Sequence, residues 1–75
     1  MDFTVERDEL EYTVTVDWNS EPVILDNGFT EWQVSGWWVT EVDGRRVDRA
    51  EAGEWEALLD AEDVENTILE HEAGL

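Results

Sequence analysis

From Leu10 to Trp18 the chain alternates without a break, with Leu10, Tyr12, Val14, Val16 and Trp18 on one side and Glu11, Thr13, Thr15 and Asp17 on the other. A period of two residues predicts a strand with one buried face. Upstream, Phe3 and Val5 alternate with Asp2, Thr4 and Glu6. A two-residue turn at Asp8-Glu9 would set Arg7 against Leu10, Val5 against Tyr12 and Phe3 against Val14. Both apolar sets then share one face, so pattern and turn length agree on a first hairpin, although Asp8-Glu9 lacks the Gly or Asn that tight hairpin turns favour.

Asn19-Ser20-Glu21-Pro22 and Asp26-Asn27-Gly28 have turn chemistry and flank the apolar run Val23-Ile24-Leu25. That middle segment predicts a loop holding a short edge strand. A long strand follows from Trp32 to Val42, with Trp32, Val34, Trp38 and Val42 on one face and Gln33, Ser35, Trp37, Val39 and Glu41 on the other. Gly36 interrupts it, and a bulge there would change the register and decide which of Trp37 and Trp38 is buried. Asp43-Gly44 is a type I′ hairpin signal leading into a short strand over residues 45–47.

The period changes at Asp48. Asp48-Arg49-Ala50-Glu51 has the form of a capping box, and Ala52, Trp55, Leu58 and Leu59 follow at helical spacing. Gly53 costs about 1 kcal/mol relative to Ala, which predicts that the regular helix begins near Glu54. Asp60 caps a second helix with the apolar stripe Val64, Ile68 and Leu69, ended by Gly74. The expected fold class is α+β: a three- to four-stranded antiparallel sheet (residues 1–47) followed by a C-terminal acidic helical segment (residues 48–75) packed on one face, all in a single domain.

Charge changes this picture most. The 75 residues hold 21 Asp and Glu against 4 Lys and Arg, a net charge of −17. At 41% hydrophobic with 5 Trp, the chain is nevertheless too apolar for a disordered acidic tail. The absence of cysteine excludes disulfides, a thiol nucleophile and Cys-based zinc sites. The N-terminus lacks the basic and apolar regions of a signal peptide, and no apolar run approaches a membrane span, so the expectation is a soluble cytoplasmic protein without membrane contact. There is no lysine; the cations are Arg7, Arg45, Arg46 and Arg49.

After Val47 the acids Asp48, Glu51, Glu54, Glu56, Asp60, Glu62, Asp63, Glu65, Glu70 and Glu72 are opposed only by Arg49. On a helix Glu62, Glu65, Leu69 and Glu72 form one row with Asp63, Asn66 and Glu70 beside it, and each like-charge pair at that spacing costs a few tenths of a kcal/mol. Helix propensity alone would not select such a row. Carboxylates set out like phosphates would compete with nucleic acid for a Lys- and Arg-lined surface. The candidate partner-binding residues are therefore Glu51, Glu54, Glu56, Asp60, Glu62, Asp63, Glu65, Glu70 and Glu72. Trp37 joins them as a candidate exposed anchor, on the face opposite Trp32 and Trp38, while Trp18, Trp32, Trp38 and Trp55 supply the core.

His71, at the margin of the second helix's apolar face, reads as structural. No Ser/His/Asp or Cys/His arrangement stands in a catalytic context, and residues 60–65 lack the alternate ligands and central Gly of a calcium loop. No enzyme activity, cofactor or metal is expected.

Residues Val39-Thr40-Glu41-Val42-Asp43-Gly44-Arg45-Arg46-Val47, running into the acidic helices Glu54-Trp55-Glu56-Ala57-Leu58-Leu59 and 63–72, resemble small acidic accessory proteins of phages and other mobile elements, a group that includes several anti-CRISPR proteins. The resemblance covers the C-terminal half and lies in the arrangement of elements and in acidity. It implies a non-enzymatic inhibitor, in the host cytoplasm if phage-encoded, that blocks a basic DNA- or RNA-binding protein or complex by DNA mimicry and binds no nucleic acid itself. Either a monomer or a homodimer, paired along an uncovered sheet edge or through the Trp37 face so that the acidic helices stay apart, suits that role. A second reading assigns the acidity to solubility, as in a structural or assembly protein adapted to high salt.

Overall fold

The computed structural model describes residues 1–74. Strands β1 (Asp2–Arg7), β2 (Leu10–Ile24), β3 (Thr30–Val42) and β4 (Arg45–Arg46) form an antiparallel meander in the order β1-β2-β3-β4, followed by helices α1 (Arg49–Glu56) and α2 (Ala61–Glu72) on one side. This is an α+β fold. The first hairpin pairs Arg7 with Leu10, Val5 with Tyr12 and Phe3 with Val14. Its turn holds Asp8 at φ 51 and Glu9 at φ 66, both left-handed as a type I′ turn demands. Neither residue is glycine, so the register rests on the apolar pairs beyond the turn rather than on the turn itself. Asp43 and Gly44, at φ 50 and 79, make the same kind of turn between β3 and β4.

The middle of the chain differs from the sequence expectation. Residues 19–22 continue β2, and Val23 and Ile24 belong to the same 15-residue strand rather than to a loop. Pro22 is tolerated because β1 pairs with β2 only as far as Thr15, which leaves the outer side of β2 an edge at Pro22. The turn signal at Asp26-Asn27-Gly28 does end the strand. Gly28 at φ 83 donates its N–H to the Leu25 carbonyl at 2.9 Å, and Leu25 donates to Phe29 at 2.8 Å.

Two bulges in β3 decide which residues face the helices. Thr15 pairs with Glu41 and Val16 with Val39, leaving Thr40 as an extra residue; Asn19 pairs with Gly36 and Ser20 with Val34, leaving Ser35 as another. Each extra residue advances the pleat by one, so between the bulges the facing is reversed. Val39 and Trp37 therefore turn toward the helices with Val42 and Val34; Trp32 shares that side of the sheet but lies in the arm beyond the helices, outside the core it was expected to supply. Trp38 turns out, beside Asp17. This corrects the assignment of Trp37 and Val39 to the outer face and of Trp38 to the core. Trp37 packs against the core, whereas Trp38 is 38% exposed.

The core is Val5, Val14, Val16, Val39 and Val42 from the sheet against Ala52, Trp55, Val64 and Ile68 from the helices. Contrary to the expectation for Gly53, α1 is regular from Arg49. The Asp48 carboxylate accepts from the Glu51 N–H at 2.8 Å, and Ala52 and Trp55, three apart, reach the core together. Asp60 caps α2 by accepting from the Glu62 N–H at 3.0 Å. Four residues apart, Val64 and Ile68 carry α2 onto the sheet. Beyond Ser20 and Val34 the β2–β3 hairpin runs past this core as a two-stranded arm, and the molecule measures 48 × 22 × 18 Å.

Trp37→Ala is expected to cost about 3 kcal/mol in urea unfolding and Trp38→Ala under about 1 kcal/mol, a difference that unbulged pairing would reverse. Ile68→Ala, at a side chain with no exposed surface, is expected to cost about 2–5 kcal/mol, much of the stability of so small a domain.

Candidate functional site

The acids of the helical segment divide by what they touch. Glu51 is engaged: its carboxylate meets the Arg45 guanidinium at 2.7 Å and accepts the Trp55 indole N–H at 3.3 Å. The hydrogen bond from Arg45 holds the Glu51 carboxyl below its ordinary value and the same contact raises Arg45. Glu72 is engaged too, accepting the Trp18 indole N–H at 2.8 Å, and that bond, with a smaller one from the Ser20 hydroxyl, lowers its pKa. These two carboxylates tie α1 to β4 and α2 to β2. Asp60 is exposed but acts as a helix cap, and Glu56 is half-buried. Glu54, Glu62, Asp63, Glu65 and Glu70 stand exposed, and no ion pair among the described residues engages them. Trp37 lies under the helices, apart from them, and is not an exposed anchor.

A second acidic surface was less apparent in the chain. Both helices pack on one side of the sheet, so the opposite side is open. It presents Asp2 and Glu6 from β1, Glu11, Asp17 and Glu21 from β2, and Glu31 and Glu41 from β3, with Trp38 among them. The polar phase of the alternating strands contained this signal, but the bulge at Thr40 had to bring Trp38 into it. Glu6 lies directly opposite Glu11 across the β1–β2 ladder, an arrangement that destabilises a sheet by a few tenths of a kcal/mol or more. Nothing in the packing requires that pair.

The cations are few, and two of the four are engaged. Arg7 lies over the Trp55 ring at 5.0 Å and Arg45 pairs with Glu51. Arg46 and Arg49 make no ion pair among the described residues. With 17 net negative charges over a 48 Å long axis, the molecule carries one per about 2.8 Å. Duplex DNA carries one per roughly 1.7 Å and a single strand one per roughly 3.4 Å. The charge density is thus of the order found in nucleic acid.

His71 meets Trp18 edge-on, with ring centroids 5.4 Å apart. Among the described residues no group of three or more His, Cys, Asp or Glu side chains is placed to hold a metal ion, and no helix is long and apolar enough to cross a membrane. Comparison with family models, with curated protein sequences and with solved structures finds no match to this chain.

The Trp18–Glu72 bond makes a pH-dependent contribution whose sign is set by the lowered carboxyl. The stabilisation is present above the unfolded-state value, near 4.5, and is lost as pH falls through the lower folded-state value. Glu72→Gln is therefore expected to be less stable than the parent at pH 7 and to match it in strong acid. Urea unfolding followed by Trp fluorescence at both pH values checks this.

Proposed function

We propose that this protein is a non-enzymatic inhibitor that occupies the basic nucleic-acid-binding surface of a partner protein or complex, a CRISPR effector being one such target. Its carboxylates stand where phosphates would. The observation that carries this reading is a charge density comparable to nucleic acid, spread over two faces and relieved by a single ion pair among the described residues. A partner that neutralises such a surface with Lys and Arg gains the same electrostatic attraction it gains from nucleic acid, and must surrender one to hold the other. The exposed helix acids Glu54, Glu62, Asp63, Glu65 and Glu70 and the open-face acids Glu6, Glu11, Glu21 and Glu31 carry the contact. Glu51 and Glu72 serve the fold, so their removal weakens binding only through instability.

The even spread of acids over both faces also favours a second reading, in which they keep a structural or assembly protein soluble at high salt. Folding separates the two. An inhibitor of a nucleic-acid-binding partner stays folded in dilute buffer, whereas a domain built for molar salt loses its Trp fluorescence signature there.

The direct test uses the immobilised chain to capture partners from cells at physiological salt, followed by elution with duplex DNA or with buffer of equal ionic strength. Release of a basic nucleic-acid-binding protein by DNA alone is the expected result; partners indifferent to DNA would refute the reading. With the captured partner, a variant carrying Glu62→Gln, Asp63→Asn, Glu65→Gln and Glu70→Gln is expected to bind about tenfold or more weakly, with a shallower dependence on salt and an unchanged unfolding curve.

A further inference from the structure

The meander leaves β3 with one unpaired side. β3 is paired along its whole length by residues 14–24 of β2, but β4 reaches only Glu41 and Val42, so among the described residues no strand lies on the outer side of residues 30–39. Such an edge is a template for another strand. Beside it, the β4–α1 connection and α1 wall an open cleft of about 550 Å³, whose lining includes Trp37, Trp38, Arg46, Val47, Arg49 and Ala52.

Two features of the cleft bear on its occupant. Arg46 and Arg49, half of the chain's cations and both without an ion pair among the described residues, line it. Asp48 and Glu56 line it as well, so the cleft is neutral overall; on a molecule of net charge −17, that is where an acidic strand is least repelled. The second is an apolar tip in search of cover. At the end of the β2–β3 arm, Ile24 is 79% and Phe29 70% exposed.

We propose that the occupant is a second copy of this chain, paired edge to edge and antiparallel through β3, so that one sheet runs through both molecules. Place a two-fold axis between Val34 and Ser35. Glu31 then opposes Trp38 of the second copy, Trp32 opposes Trp37, and Gln33 opposes Gly36. Glu31, Gln33, Gly36 and Trp38 lie on the open phase of β3, and Trp32, Val34 and Trp37 on the helix phase, so these three cross-copy pairs match faces as a sheet requires. Arg46 pairs with Glu41 and so shares the open face with Trp38, which brings Glu31 of one copy beside Arg46 of the other. The same register sets Thr30 opposite Val39 of the second copy and ends there, because the Val47 N–H already bonds the Thr40 carbonyl at 3.2 Å; Phe29 then abuts Val47 of the second copy. The interface is isologous, so each of these contacts occurs twice.

This pairing needs no basic partner, although it engages Glu31, which such a partner also contacts, and its salt dependence has the opposite sign. Two copies of charge −17 repel in dilute buffer, so salt promotes their association while it weakens binding to a basic surface. Sedimentation equilibrium on the full chain, from dilute buffer to about 1 M salt where the Debye length is ~3 Å, is expected to show a monomer giving way to a dimer. At the lowest salt that supports the dimer, Glu31→Arg and Arg46→Glu are each expected to weaken it about two- to fivefold, and the two together to restore it. A monomer at every salt concentration would overturn the proposal and leave the edge to a strand of another protein. A dimer indifferent to both single changes, or one the paired exchange fails to restore, would overturn it as well.

Discussion

One apolar layer holds the molecule together, and it has to outweigh the mutual repulsion of a chain of net charge −17. Val14, Val16, Val39 and Val42 face Ala52, Trp55, Val64 and Ile68, and among the described residues no polar or charged side chain is buried with them. Fully burying a side chain of the larger apolar types stabilises by about 1.5–3 kcal/mol, against a few tenths for each exposed like-charge pair. A handful of core residues therefore offsets many surface repulsions, which is how so small a domain can carry so many acids. The arrangement requires that the sheet offer its apolar residues on one side only. The two bulges of β3 secure that by turning Val39 and Trp37 toward the helices while Trp38 faces out.

The acidity and the fold are joined at specific carboxylates. Tryptophan buries a large ring but leaves an N–H that needs an acceptor, and here Glu51 and Glu72 receive the indoles of Trp55 and Trp18. Asp48 and Asp60 start the helices, Asp43 accepts the Thr13 N–H at 2.8 Å, and Asp2 accepts the Thr15 hydroxyl at 2.8 Å. These acids do local work that a shorter list of charges would have sufficed for. Glu65 and Glu70 on α2 and Glu6 and Glu11 on the open face make no ion pair among the described residues and cap no helix, and they are what any account of function has to explain.

The arm beyond the helices has a different character. A hairpin of two strands is marginal in water without a third strand or a helix against it, and here the helices stop near Ser20. Trp32 is half-buried opposite Pro22, while Ile24 and Phe29 at the tip are largely uncovered. An acidic body with an apolar tip and an open strand edge presents two chemistries to its surroundings, one that salt weakens and one that salt strengthens.

Local chemistry determined much of this. The register of the first hairpin followed from the alternation of Phe3 and Val5 with Tyr12 and Val14, because a slip of one residue would have exposed every apolar side chain. The Asp48 and Asp60 caps and the stripe Val64 and Ile68 were legible for the same reason: their partners lie within four residues. The tertiary structure alone decided the rest. Asn19-Ser20-Glu21-Pro22 reads as a turn, yet it remains strand because β3 pairs with it along one side and nothing pairs with it on the other. Trp37 and Trp38 exchanged faces because two extra residues, Ser35 and Thr40, were absorbed into the long β2–β3 ladder, and no local pattern states where a bulge falls. Glu51 and Glu72, two acids among many in the chain, became structural because the fold brought each beside an indole. Sequence specifies contacts between neighbours; contacts across 54 residues, such as Trp18 with Glu72, are settled only when the layers close.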